Sequence, residues 1–312
     1  MRLGIELIGS RRAGHSDADV LDRLVRQARL AERAGYDIVW LPEHHDTAWN
    51  IIADPLLVLT HLAAATTRIG LGTSVVNLGL HNPVEIAERA ALVNAVSGGR
   101  LQLGLGRGLS ELDYAGYGLD ARTSSKRFEH NHNLLVHRLT AAPETASIPI
   151  WIATSGTPRT LDLATDHGHG VLVNATGENL GRIVDHVRNR NPDSSVTLTH
   201  GVHIADDEPT AWTELEPYVR WFCERLALRQ VTLPPPDVLR TTLSLLGDAS
   251  SCAARIEQTR RRYGFDDFTA AIGIAGLPWP LFERTTVELV AAVRARGLLG
   301  ASAATVDSFA PR

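Results

Sequence analysis

Residues 82–106, NPVEIAERAALVNAVSGGRLQLGLG, contain one complete step from a helix to a strand. Asn82 and Pro83 are typical of a helix start, where a capping side chain is followed by a proline in the first turn. The Gly-Gly pair predicts the end of that helix, and the apolar run 100–106 predicts a strand covered on both faces. The stretch therefore predicts a helix packed beside a buried strand, which is the repeating unit of an α/β fold.

The same step recurs along the chain. Residues 17–35 carry apolar side chains at helical spacing and end at a glycine, and Asp54 with Pro55 forms another helix start. Eight strands separated by helices predict a (β/α)₈ TIM barrel, with one domain over residues 1–300. The eight predicted strands are 3–8, 37–41, 68–76, 100–106, 148–154, 170–175, 196–205 and 268–276.

One segment does not fit a simple barrel. Residues 206–247 are too many for one crossover, and they predict an insertion of two helices, separated at the three prolines 234–236, between strands 7 and 8. Residues 301–312 are small and polar, which predicts a flexible tail.

The composition narrows the class of protein. The 312 residues are 44% hydrophobic and 21% charged, as in ordinary globular proteins, and the net charge of −4 gives no general attraction to nucleic acid or anionic membranes. Cys223 and Cys252 have no metal-binding spacing, which indicates reduced thiols. The N-terminal residues contain no apolar run long enough for a signal peptide or a membrane span. We therefore expect a cytoplasmic protein.

In a TIM barrel the functional residues lie at the carboxyl ends of the strands. The polar residues that the sequence places there are Glu43, His44, His45, Ser74, Arg107, Ser155, Gly156, Thr157 and Asn174. Their occurrence at these ends predicts the position of the functional site.

The glycine-rich run 103–108, LGLGRG, resembles a dinucleotide-binding fingerprint only in part, because position 109 carries leucine where the third glycine belongs. Glycines at a strand end also let a planar ring or a phosphate approach the backbone, and Arg107 can donate two hydrogen bonds to a phosphate. Alternatively, Gly104, Gly106 and Gly108 only relieve crowding inside the barrel.

Residues 155–157, Ser-Gly-Thr, come directly before a helix that starts at Pro158. Hydroxyls and free N–H groups at a helix start can bind an anion, although a simple helix cap has the same composition. With Arg107 on the neighbouring strand, the loop favours a phosphate site.

The stretch Glu43-His44-His45-Asp46 admits a metal site, an acid/base site or a solvated loop. Adjacent side chains in an extended segment point in opposite directions, so the two imidazoles do not easily share one ion, and we predict no metal. An imidazole that faces the barrel mouth suits acid/base chemistry. His45 and Asp46 are assigned to a solvated loop.

Other histidines occur in two further groups. His130, His132 and His137 lie at helical positions, where a solvated helix face is the expectation and no role is assigned. The sequence HGH at 167–169 is a second pair with no metal-binding spacing around it.

Taken together, these residues resemble the bacterial luciferase-like flavin monooxygenase superfamily. The resemblance is dense in the first 110 residues and weak over 206–245. The segments that carry it are AERAGYDIVWLPEHH (31–45), ADPLLVLTHLAAATTRIGLGTSVV (53–76), HNPVEIAERAALVNAVSGGRLQLGLGRG (81–108), IPIWIATSGTPRTLDLATDHGHGVL (148–172) and LGDASSCAARIEQTRRRYGFDDF (246–268).

The resemblance implies a (β/α)₈ barrel, often a homodimer packed through its early helices, with reduced flavin bound at the barrel mouth. His44 matches the histidine implicated in catalysis, with Glu43 in its supporting position. Ser74 and Val75 match a step that family members often hold as a non-prolyl cis peptide against the flavin ring. Arg107 matches a phosphate-binding arginine, and the loop 155–157 matches the rest of the phosphate cradle.

Two departures from the family pattern stand out. Gly106, at the ring face, replaces a cysteine of the light-emitting relatives, so bioluminescence is not expected. The segment 140–147, TAAPETAS, is shorter than the strand-containing insertion of most relatives, so cover for the substrate is reduced or supplied elsewhere.

The resulting hypothesis is an FMN-dependent, two-component monooxygenase. A separate flavin reductase supplies reduced FMN, which reacts with oxygen to give a flavin hydroperoxide that oxygenates a small organic substrate. A deazaflavin-dependent oxidoreductase is less favoured, because those relatives tend to show GTGE-like residues where this chain has Arg107. A non-catalytic flavin-binding protein of the same fold is the third alternative. The sequence does not predict the substrate.

Overall fold

Eight parallel strands close into a barrel. The computed structural model describes residues 1–45, 47–108, 110–228, 235–242 and 244–300. The barrel strands are β1 (Leu3–Glu6), β2 (Ile38–Leu41), β3 (Gly70–Thr73), β5 (Leu101–Gly106), β6 (Ile150–Ala153), β7 (Gly170–Val173), β8 (Val196–Ile204) and β10 (Asp267–Ala271). They pair in chain order, and β10 pairs with both β8 and β1, which closes the barrel. The predicted TIM barrel is therefore confirmed.

Two short strands extend this arrangement. β4 (Val76–Asn77) pairs with the end of β5, and β9 (Ser244–Gly247) pairs with the carboxyl end of β8. β4 continues the line of β3 after a two-residue interruption at Ser74 and Val75. The predicted strand 68–76 is thus two strands.

Helices surround the barrel. Within the described residues, none is both long enough and apolar enough to cross a membrane. The helices are α1 (Asp17–Ala34), α2 (Pro55–Ala65), α3 (Pro83–Ser97), α4 (Glu111–Gly116), α5 (Ser124–Thr140), α6 (Pro143–Ala146), α7 (Pro158–Asp166), α8 (Gly177–Arg190), α9 (Glu208–Ala227), α10 (Pro236–Thr242), α11 (Ala249–Tyr263) and α12 (Trp279–Ala295).

The helix boundaries that the sequence predicts are confirmed by their caps. The Asp54 side chain accepts a hydrogen bond from the Leu57 N–H at the start of α2, and Asn82 accepts one from the Val84 N–H at the start of α3. α1 ends at Gly35, whose φ of 100° lies in the left-handed region that glycine tolerates. These ends depend on local hydrogen bonds, which is why the sequence predicts them.

Two indole rings fill the barrel interior. Trp40 of β2 and Trp151 of β6 meet edge to face, with their ring centroids 5.9 Å apart. Room for them comes from glycines on the neighbouring strands, since a Cβ at Gly72 would lie 2.2 Å from Trp40 and one at Gly170 would lie 2.2 Å from Trp151. The rings belong to a separate buried cluster inside the barrel, so the interior is a packed core.

The insertion between β8 and β10 contains α9 and α10, as the sequence predicts, and β9 in addition. Pro235 and Pro236 lie at the start of α10, whereas Pro234 and the predicted tail 301–312 lie outside the described residues. β9 was not predicted because four residues after a helix carry too short a pattern to identify a strand.

Partly buried polar contacts hold the first half of α9 to the barrel. Glu214 accepts a hydrogen bond from the Nε2 of the fully buried His203 of β8 at 2.8 Å, and it pairs with Arg284 of α12. Pro217, inside the helix, then removes one backbone hydrogen bond. The second half of α9 comprises residues 218–227, after this proline.

Candidate functional site

The loop after β2 carries the site residues that the sequence singled out. The N–H of Glu43 donates to Val75 O at 3.2 Å, and that of His44 donates to Ile52 O at 2.9 Å, so both residues are fixed through their backbones. Their side chains point to different neighbours, as expected for an extended segment. Asp46 lies outside the described residues.

His44 packs against an indole at the carboxyl end of β2. Its ring centroid lies 3.9 Å from that of Trp49, and Trp49 meets Phe222 of α9 edge to face at 5.0 Å. Burial lowers the pKa of His44 to about 3, the charge of Glu43 raises it and the charge of His45 lowers it further. His44 is therefore a neutral imidazole at ordinary pH, with one nitrogen that donates and one that accepts.

The carboxylate of Glu43 contacts His45 and His81 rather than His44. Its Oε1 lies 2.8 Å from the Nε2 of each of these two histidines, and its Oε2 accepts the Asn77 N–H at 2.9 Å. The ring of Tyr117 packs on both histidines. Glu43 reaches His45 because residues two apart in an extended segment share a side, and it acts on His44 through its charge, so its supporting role for His44 stays a prediction. His45 belongs to this cluster and not to a solvated loop.

The charge of Glu43 is stabilised within this cluster. Burial alone raises the pKa of Glu43, but the hydrogen bonds from His45, His81 and the Asn77 N–H outweigh burial, and the pKa lies below its usual value. One ligand atom from each of Glu43, His45 and His81 lies within 4.8 Å of the others, so the group could hold a metal ion. The absence of a metal remains a prediction. His81 was missed, although it closely follows a strand end.

The peptide bond between Ser74 and Val75 is cis, as the resemblance implies. The Ser74 hydroxyl donates to Glu6 at the end of β1, at 2.7 Å. Burial raises the pKa of Glu6 to about 6, and the bond from Ser74 lowers it in part. Glu6 was not predicted as a site residue, yet a carboxylate that ends an apolar strand was a readable signal.

Both glycines of β5 lie in crowded surroundings. A Cβ at Gly104 would lie 1.9 Å from Thr73 O, and one at Gly106 would lie 2.4 Å from Val75 Cγ2. The Thr73 hydroxyl accepts the Gly104 N–H and donates to Gly104 O, which joins β3 to β5 at this point. Gly106 thus packs directly under the residue that follows the cis bond, and its role at a flavin ring remains a prediction.

Arg107 and the loop 155–157 follow neighbouring strands, since Leu105 of β5 pairs with Ile152 of β6. Arg107 is exposed, and its guanidinium donates to the Ser124 hydroxyl at 3.0 Å. No carboxylate in the described parts of the chain forms an ion pair with Arg107, so its charge remains available to an anion. The two phosphate-site candidates therefore occupy adjacent loops.

The start of α7 suits an anion. Thr157 is the capping residue, but its side chain forms no capping hydrogen bond. Gly156 has a φ of 103°, which only glycine adopts easily, and its N–H donates to the Thr154 hydroxyl. A phosphate here would meet the exposed hydroxyls of Ser155 and Thr157 and the positive end of the helix dipole. The residues fit the phosphate of FMN.

Three histidines meet on the outside of the barrel, away from these loops. His132 of α5 is fully buried and lies 2.9 Å from His169, Nε2 to Nε2, while His167 packs on both rings. His130 and His137 are exposed as expected, but the solvated position expected for His132 is wrong. The reason is helical spacing, because His132 lies on the same buried stripe as Phe128, Leu135 and Leu139.

These histidines predict acid sensitivity. Burial lowers the pKa of His132 to about 4, so between pH 6.5 and about 4 the unfolded chain binds the proton more readily. The free energy of unfolding therefore falls as the pH falls through this interval. We expect His132→Gln to reduce that fall by on the order of 2 kcal/mol, measured by urea unfolding at several pH values. His137→Gln, on the same helix but exposed, is the control. Equal pH dependence in both variants would contradict the prediction.

The chain resembles known proteins in sequence and in fold. Residues 1–267 match the family described as luciferase-like monooxygenase. The chain is 31% identical over 140 residues to the alkanal monooxygenase alpha chain of Photorhabdus laumondii, which covers 45% of this chain and 39% of that protein. It is 28% identical over 173 residues to the oxygenase component of the flavin-dependent trigonelline monooxygenase of Acinetobacter baylyi, which covers 49% of this chain and 48% of that protein. The chain thus spans about half the length of these relatives or less.

Three solved structures share the fold. The monooxygenase RslO1 of Streptomyces bottropensis has a TM-score of 0.84 at 20% identity, with 95% of this chain and all of that chain covered. The oxygenating constituent of 3,6-diketocamphane monooxygenase from Pseudomonas putida, in complex with FMN, has a TM-score of 0.79 at 14% identity, with 95% and 98% covered. The coenzyme F420-dependent tetrahydromethanopterin reductase of Methanopyrus kandleri has a TM-score of 0.71 at 17% identity, with 95% and 99% covered.

Proposed function

Because this chain belongs to the luciferase-like monooxygenase family, we propose that it is an FMN-dependent monooxygenase. The reduced FMN comes from a separate flavin reductase, and one oxygen atom of O₂ enters a small organic substrate. The observation that supports the proposal is that Arg107, the loop 155–157 and the half-buried imidazole of His44 all follow barrel strands, at the same end of the barrel. We assign the first two to the phosphate and His44 to the reaction.

The residues of the chain have separate tasks in this proposal. Arg107, Ser155 and Thr157 bind the phosphate, with Gly156 giving the loop its shape. Ser74, Val75 and Gly106 form the surface under the flavin ring, and the bound reduced flavin supplies the electrons that activate O₂. His44 exchanges a proton or a hydrogen bond with the reacting oxygen, and its neutral form allows both. Trp49 and Phe222 exclude water from His44.

Flavin titration tests this proposal. We expect the protein to bind reduced FMN under anaerobic conditions about tenfold or more tightly than reduced riboflavin, because only FMN carries the phosphate. In Arg107→Ala this preference should shrink at least about fivefold, while riboflavin affinity stays constant. After O₂ is admitted in the presence of a substrate, ¹⁸O from ¹⁸O₂ should appear in the product.

The control for the titration is Arg122→Ala, which removes an exposed arginine that pairs only with Asp120. Its flavin affinities should equal those of the wild type. Binding of reduced deazaflavin with no affinity for reduced FMN would refute the proposal.

A deazaflavin-dependent oxidoreductase is the second candidate function. It is favoured by the likeness in fold to a coenzyme F420-dependent reductase, and it would transfer a hydride without O₂. A non-catalytic flavin carrier is the third. The half-buried imidazole of His44, placed without a hydrogen-bond partner among the described residues, argues for chemistry over storage.

We also propose a homodimer that packs through the early helices, as the family resemblance implies. Large apolar side chains are exposed there, with Leu57 of α2 at 71% exposure and Leu92 of α3 at 67%. Val84 and Val96 of α3 extend this patch. An apolar patch of this kind is typical of a surface that another protein covers.

A further inference from the structure

The second half of α9 presents a row of aromatic and basic side chains near the barrel mouth. Tyr218, Trp221, Phe222 and Arg225 are spaced by three and four residues, so they share one face of the helix. Phe222 meets Trp49, which in turn covers His44. This face therefore leads to the residue that we place beside the reaction.

Arg12, in the loop after β1, packs against the same face. Its guanidinium carbon lies 5.2 Å from the ring of Tyr218 and 5.0 Å from the ring of Trp221. The loop is held in place because the Arg11 N–H donates to Ala48 O, and the preceding serine hydroxyl donates to Trp49 O. Arg225 approaches Trp221 as well, at 5.5 Å. Two guanidinium groups thus flank one indole.

Neither guanidinium has an anionic partner. The Nη1 of Arg12 and the Nε of Arg225 are buried and form no hydrogen bond, and no carboxylate in the described parts of the chain pairs with either group. Two nearby arginines, by contrast, do have carboxylate partners. Arg11 pairs with Asp17 at 2.8 Å, and Arg220 pairs with Glu216 at 2.5 Å. Buried donors without acceptors are costly, and an anion bound beside the indole would give both half-buried guanidinium groups a counter-charge.

We infer that Arg12, Trp221 and Arg225 bind the anionic group of the substrate. The inference rests on the proposed function, and it names the substrate class as an organic anion, a carboxylate or a sulfonate, with an apolar body. The charged group contacts the guanidinium groups beside the Trp221 ring, and the apolar body lies along Phe222 and Trp49 towards His44. Helix α9 thereby covers the bound substrate, which the short segment 140–147 does not do.

The flavin phosphate belongs to a different part of the barrel. Arg12 follows β1, whereas Arg107 and the loop 155–157 follow β5 and β6, and the strands β2 and β3 lie between them in the barrel. The two anion sites therefore serve two different ligands.

Calorimetric titration with 2-naphthoate and its neutral amide, 2-naphthamide, tests the inference. The wild-type protein should bind the carboxylate about tenfold or more tightly than the amide. Arg12→Gln and Arg225→Gln should each weaken naphthoate binding about tenfold and leave naphthamide binding unchanged. Arg220→Gln, on the same helix with its charge already paired, should match the wild type. The same titrations with decanoate and decanamide separate the need for a charge from the need for an aromatic body.

Three outcomes would overturn the inference. The first is that neither anion binds more tightly than its amide. The second is that the Arg12→Gln, Arg225→Gln double variant keeps the wild-type preference for the anion. The third is that these variants lose affinity for FMN but not for riboflavin, which would assign both arginines to the cofactor phosphate. The binding test needs neither flavin nor oxygen, so its result is independent of whether the flavin proposal holds.

Discussion

Replacing His44 with alanine is expected to lower kcat for oxygenation of the substrate by about 10²- to 10⁴-fold, the usual contribution of a group that transfers a proton. Flavin affinity should change little, because the proposed phosphate site follows β5 and β6 and not β2. The measurement is steady-state product formation together with hydrogen peroxide release. In the variant, O₂ consumption should continue and yield peroxide in place of product.

Two further variants make the test specific. His61→Ala, an exposed histidine on α2, should behave as the wild type. His44→Asn keeps one donor and one acceptor, so it should recover part of the rate if hydrogen bonding contributes. An unchanged ratio of product to peroxide in His44→Ala would remove His44 from the mechanism.

The pH profile carries a separate expectation for the same residue. Because burial holds the pKa of His44 near 3, its protonation cannot produce a loss of rate above about pH 5. The pKa of Glu6, by contrast, is raised to about 6. If the rate of oxygenation changes near that pH because Glu6 titrates, the change should disappear in Glu6→Gln and persist in His44→Asn.

Removing the Glu43 carboxylate should produce the largest loss of stability. Glu43→Ala is expected to lower the free energy of unfolding by about 3–5 kcal/mol, because two imidazoles and the Asn77 N–H lose a buried acceptor together. Glu43 is 2% exposed, so solvent cannot replace these bonds in the folded state. Urea unfolding at pH 7.5 measures the loss.

Glu43→Gln keeps the shape and one acceptor oxygen, so its loss should be about half as large. The pKa of Glu43 is depressed in the folded state. Its contribution is therefore present above the usual carboxyl pKa and is lost as the pH falls below it. Glu288→Ala, an exposed position on α12, is the control. If Glu43→Ala costs no more than Glu288→Ala, the cluster does not stabilise the fold.

The barrel could be predicted from the sequence because its signals are local. Asn82 followed by Pro83 starts α3, Gly35 ends α1, and each buried strand appears as a short apolar run. β9 escaped prediction because its four residues gain their identity only by pairing with β8. The break at Ser74 and Val75 came from the family resemblance, and the strand pattern alone gives no sign of it.

The site could be predicted only in part. Strand ends located His44 and Arg107, because in a barrel the position along the chain fixes the end of the barrel on which a residue lies. The partners of Glu43 could not be read, since His81 reaches it from beyond β4 and the contact exists only after the barrel closes. The burial of His132, by contrast, was readable from helical spacing, and only its contact with His169, 37 residues away, needed the folded barrel.

Pro217 divides α9 into a first part that stabilises the fold and a second part that we propose to bind the substrate. Before the proline, Glu214 is locked to β8 and α12 by its bonds to His203 and Arg284, so substitutions there threaten folding. After it, Tyr218, Trp221 and Arg225 are only half-buried. In the proposed site, substitutions at these three positions would change the choice of substrate, while the barrel that Glu214 helps to hold stays intact.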